Sequence, residues 1–67
     1  MEPQNSPDWA YIHMTVALTF DWMEANGIRD RMIDCLGFQL RLAYVPDREL
    51  PDHPRRIVYQ MNGPNTR

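Results

Sequence analysis

The chain has no lysine, one cysteine, two histidines and three glycines among its 67 residues. Each shortage excludes something. Cys35 has no second cysteine with which to form a disulfide, and Cys35, His13 and His53 do not make up a zinc ligand set. The glycines stand far apart, so no glycine-rich phosphate loop is present. No apolar run approaches the ~20 residues of a spanning helix. The first residues, MEPQNSPDW, carry neither the basic nor the apolar region of a signal peptide. All seven cations are arginines and the net charge is −2, which argues against a general phosphate-binding surface. No metal, no cofactor and no membrane are therefore expected, and a nucleic-acid partner is disfavoured. The lone thiol points to a reducing, cytoplasmic location.

What is present is concentrated in Ser6 to Ile28, which holds both tryptophans with Tyr11 and Phe20. Its even-numbered residues Ile12, Met14, Val16, Leu18, Phe20 and Trp22 are apolar, an alternation that suits a half-buried strand. The ends favour a helix. Ser6-Pro7-Asp8 reads as a start, with Ser6 as N-cap, Pro7 at the first helical position and Asp8 at the positive end of the dipole. Asn26-Gly27-Ile28 reads as a stop. On a helix from about Pro7 to Asn26 the apolar residues separate into two stripes. Trp9, Ile12, Val16, Phe20 and Met23 share one face; Tyr11, Met14, Leu18, Trp22 and Ala25 share the other.

Arg29 to Leu36 carries a second, short helical pattern, with Ile28, Met32, Cys35 and Leu36 on one face and Gly37 as its stop. From Phe38 the period becomes two. Phe38, Leu40, Leu42 and Tyr44 alternate with Gln39, Arg41 and Ala43, and Pro46 ends this strand. PDRELPDHP reads as an exposed loop, and RRIVYQM as a second strand with Ile57, Tyr59 and Met61 on one side. The expected architecture is α+β: a long N-terminal helix, a short second helix and a C-terminal antiparallel β-hairpin. The alternative is a split β-α-β-β arrangement with a strand over Tyr11 to Phe20. Residues 1–5 are expected to be a disordered leader, 6–63 one small domain and 64–67 a frayed tail.

The chemistry-bearing residues point away from catalysis. On a helix, the neighbours three and four residues from His13 are Trp9, Ala10, Val16 and Ala17, and none of them orients an imidazole. Cys35 reads as a small buried hydrophobe. Asp47, Glu49 and Asp52 lack the spacing of a calcium loop. Pro51 to Arg56 formally matches a PxxP motif followed by a basic residue, a pattern that arises often by chance. The composition instead suits a non-enzymatic regulator or inhibitor that binds a protein partner and occludes its surface. Its partner-binding residues are expected to be Tyr11, Met14, Leu18 and Trp22 on the helix, with Asp47, Glu49, Asp52, Arg55 and Arg56 around the loop. The alternative is a small winged-helix-like nucleic-acid-binding regulator, with Arg29 and Arg31 on the short helix and Arg55 and Arg56 on a wing.

A domain this small has little interior, and one hairpin covers only one stripe of the first helix. The uncovered stripe predicts a homodimer, with Leu18 and Trp22 at the contact between copies.

Overall fold

The computed structural model describes residues 7–63. Helix α1 spans Trp9–Ala25 and is followed by strands β1 (Asp30–Cys35), β2 (Phe38–Val45) and β3 (Arg55–Asn62). The strands form one antiparallel sheet in the order β1-β2-β3, and α1 lies across one face of it. The fold is α+β, as the residue pattern predicts, with one helix and three strands among the described residues. The expected leader 1–5, the Ser6 cap and the tail 64–67 lie outside the described residues.

The helix reading holds over Tyr11 to Phe20, and the split β-α-β-β alternative does not. Asp8 is the N-cap: its Oδ1 accepts from the Tyr11 amide at 3.0 Å, and the helix begins at Trp9 rather than Pro7. At the other end the Gly27 amide donates to the Glu24 carbonyl at 3.3 Å, and the Ile28 amide to the Met23 carbonyl at 2.9 Å. Gly27 takes φ +68°, so the stop is a Schellman motif, with the left-handed residue where only glycine is free of a Cβ penalty.

The expected second helix is corrected to strand β1. Leu36 and Gly37 both take positive φ, 52° and 87°, the pair of values that a two-residue type I′ hairpin loop requires. Cys35 then faces Phe38, and the register runs back to Asp30 opposite Ala43. Gly37 is thus a hairpin residue and not a helix stop. The helical spacing of Ile28, Met32, Cys35 and Leu36 was compatible with the segment, but so was the alternation of Ile33 and Cys35 with Met32 and Asp34. Pairing with β2 satisfies every second backbone group of β1, which a short isolated helix cannot match.

The pairing of β2 with β3 across the long loop agrees with expectation, although it forms part of a three-stranded meander rather than a free-standing hairpin. One detail differs. The register shifts between Gln39 and Leu40, which face Asn62 and Gln60, so Met61 is an extra residue without a partner. That bulge ends the alternation of Ile57 and Tyr59 before Met61 can join it.

The core lies between α1 and the sheet. Ile12, Phe20 and Met23 pack on Cys35, Phe38, Leu40 and Leu42, with Val16, Ile28, Ile33 and Tyr44 around them. Phe20, Met23 and Leu42 have essentially no exposed surface. Burying each such side chain contributes about 1.5–3 kcal/mol. Four of the five residues of the first stripe therefore meet the sheet. Trp9 lies at the end of the helix, half-exposed, with its ring centroid 5.4 Å from that of Phe38. Cys35 is a buried free thiol, as its apolar surroundings predict, although it sits on a strand.

Candidate partner-binding surface

The second helical stripe stays uncovered. Tyr11, Met14, Leu18 and Trp22 are all exposed, with Leu18 at 62% the most open. These side chains lie on one side of α1 because steps of three and four residues return to the same face, and the sheet already occupies the opposite one. Trp22 leans toward β1, where the Arg31 guanidinium stands 4.9 Å from its ring centroid. Thr19, Trp22, Arg31 and Ile33 line a shallow depression between helix and strand. The Thr19 hydroxyl donates to the Thr15 carbonyl at 2.7 Å, so its polar atom is already engaged.

The residues expected around the loop are placed elsewhere, and they do not join this stripe. Arg56 belongs to the opposite side of α1. Its Nη2 lies 2.9 Å from Asp21 Oδ1 and 3.6 Å from Glu24 Oε1, and its Nε donates to the Tyr44 hydroxyl at 3.1 Å. The guanidinium also stands over the Phe20 ring at 5.1 Å. The hydrogen bond to Asp21 raises the pKa of Arg56 further above its ordinary value, so it remains a cation at every accessible pH. Arg56 thus clamps the helix to β3. Arg55 precedes it on the opposite face of the sheet. Asp47 folds back on its own loop, accepting from the Glu49 amide at 2.9 Å and the Leu50 amide at 3.3 Å. Glu49 and Asp52 are exposed.

The far face of the sheet, away from α1, has its own organiser. Arg41 on β2 donates through Nε and Nη2 to Asp30 on β1, with the closest contact at 2.6 Å. Its guanidinium stands 5.1 Å from the Tyr59 ring on β3, so one side chain spans all three strands. The hydrogen bonds to Arg41 hold the Asp30 carboxyl below its ordinary pKa, and the same pairing raises that of Arg41. The short helix on which a winged-helix reading depends is absent. Arg29 precedes β1, and Arg31 is stacked on Trp22.

Among the described residues no group of three or more His, Cys, Asp or Glu side chains is placed to hold a metal ion, and no helix is long and apolar enough to cross a membrane. Several exposed apolar residues lie outside the sequence-derived set: Met32, Leu36, Leu50, Val58, Tyr59 and Met61. Of these, Val58 and Tyr59 had a readable signal, since IVY is apolar at consecutive positions and a strand puts neighbours on opposite faces. No family model matches the chain, and neither a curated protein nor a solved structure matches it.

Proposed function

We propose that the protein is a small non-enzymatic regulator or inhibitor, acting as a homodimer in the cytoplasm and occluding the surface of a protein partner. The observation that carries this reading is the stripe of Tyr11, Met14, Leu18 and Trp22, four large exposed side chains on a helix whose other face is buried. Such a stripe follows the i, i+3, i+7 and i+11 spacing by which an amphipathic helix enters a partner's groove. It also combines two aromatics and a methionine, residue types enriched where interfaces concentrate their binding energy. The lone buried thiol of Cys35 suits a reducing compartment.

Two variants and the wild type, each used as bait in a lysate of the source cells, test the reading. Leu18→Glu and Trp22→Glu should keep the wild-type circular dichroism spectrum and lose a protein that the wild type retains. Equal retention by all three, or no specific retention by the wild type, overturns it. The triple replacement of Asp47, Glu49 and Asp52 by alanine asks separately whether the loop contributes to affinity. Retention on DNA that falls steeply with salt would instead favour the nucleic-acid reading.

A further inference from the structure

The sheet has two free edges, and they differ in what they invite. The Tyr44 amide donates to the Arg29 carbonyl at 2.9 Å, so even-numbered residues of β2 turn their backbone groups toward β1 and odd-numbered ones toward β3. In β3 the partners of those odd residues are Arg55, Ile57 and Tyr59, which close the ladder. Arg56, Val58 and Gln60 therefore turn their amides and carbonyls outward. By the same alternation Asp30, Met32 and Asp34 do so on β1.

Natural edges are protected by charge, proline or brevity. Edge β1 is protected: three of the six residues in DRMIDC are charged. Its full-length antiparallel pairing with a second β1, centred on Met32, sets Asp30 against Asp34 of the other copy. Edge β3 is not. From Ile57 to Met61 it carries no charge and no proline, and Val58, Tyr59 and Met61 are exposed, Val58 at 44% on the very face that α1 covers for the other strands.

We propose that β3 pairs antiparallel with β3 of a second copy about a two-fold axis at Val58, giving a continuous six-stranded sheet. This register is the one that uses all three outward residues. Val58 faces Val58, Arg56 faces Gln60, and Ile57 faces Tyr59 across the axis. No like charges are opposed, and β-branched and aromatic residues meet in cross-strand pairs. The two-fold axis is perpendicular to the sheet, so both α1 helices lie on the same side of it. Arg56 keeps its contact with Asp21 within each copy. The stripe of Tyr11, Met14, Leu18 and Trp22 faces away from the sheet, with Trp22 beside Arg31 of β1, and stays uncovered, leaving two copies of it open to the partner. The inference rests on the homodimer part of the reading above and moves the contact between copies from helix to strand edge.

Light scattering of the intact chain at micromolar concentration tests it, with Val58→Pro, Val58→Lys and Val58→Asp as variants. Proline at this position removes both hydrogen bonds at the axis, yet its missing amide belongs to the outward edge and not to the β2 ladder. Wild type should be dimeric, and Val58→Pro monomeric. Val58→Lys and Val58→Asp should each dimerise several-fold more weakly, and an equimolar mixture of the two should recover the dimer, because opposite charges then meet at the axis. The mixture keeps the inference falsifiable if the proline variant fails to fold. A monomeric wild type overturns both the edge pairing and the homodimer. A dimer unmoved by the Val58 variants but broken by Leu18→Glu overturns the edge pairing alone.

Discussion

The Tyr44 hydroxyl donates to the Phe20 carbonyl at 3.1 Å, and the two rings meet edge-on with centroids 5.3 Å apart. This one pair joins the middle of the helix to the end of the central strand. It does so twice, through a polar tip and an apolar ring, and Arg56 completes it by donating to the same hydroxyl. Replacing Tyr44 with phenylalanine keeps the ring and removes both hydrogen bonds. The expected cost is about 0.5–1.5 kcal/mol for each of the two bonds. Urea denaturation checks it: the midpoint should fall with the slope unchanged.

Phe20 and Leu18 are two positions apart on α1 and face opposite environments, 2% and 62% exposed. Phe20→Ala should cost about 3–5 kcal/mol through lost burial and the cavity left behind. Leu18→Glu should change stability by no more than about 0.5 kcal/mol, as for other exposed positions. Thermal unfolding of both variants, followed by circular dichroism, separates these outcomes. Comparable destabilisation by both would mean that the second stripe is also part of a core.

Leu36 sits at φ 52°, a left-handed conformation that strains a residue with a Cβ, and its side chain is half-exposed. Leu36→Asn creates the Asn-Gly pair that two-residue hairpin loops favour. Relief of a left-handed residue amounts to roughly 1–2 kcal/mol, of which asparagine recovers a part. The expected outcome is a higher denaturation midpoint. A lower one would show that the exposed leucine makes a contact that outweighs the strain.

The pairing of Asp30 with Arg41 predicts a pH dependence. The Asp30 pKa in the folded state lies below the ordinary value of 3.8, so the pair stabilises the protein above that value and ceases to do so as pH falls through the lowered one. Asp30→Asn removes this term. The stability difference between wild type and variant should therefore be present at neutral pH and vanish in acid below 3.8. Both side chains are exposed, so salt should shrink the difference as well. Urea midpoints at the two pH values give the answer.

Much of the fold was readable locally. The split of α1 into a stripe that meets the sheet and a stripe that does not follows from its own spacing, and the Gly27 stop from the glycine. The strand over Phe38 to Val45 was legible because its inward and outward residues alternate cleanly. The cap was displaced by two residues because Asp8 and Ser6 are both good acceptors near the helix start, and local composition does not choose between them. Arg56 read as a partner-binding residue beside the loop. Its partners Asp21 and Glu24 are more than thirty residues away and could not be paired with it from spacing.

The sequence by itself determined which residues of α1 form a common apolar face, where the helix stops, and which segments alternate as β2 and β3. All of these depend on a side chain and its neighbours within about one turn of helix or a few residues of strand. Tertiary structure alone decided that Asp30–Cys35 is a strand, that Arg41 bridges Asp30 and Tyr59, and that β1 and β3 are the free edges of the sheet. The reason is physical. A six-residue segment has no strong preference of its own, and the conformation it adopts is the one whose backbone groups find partners on β2.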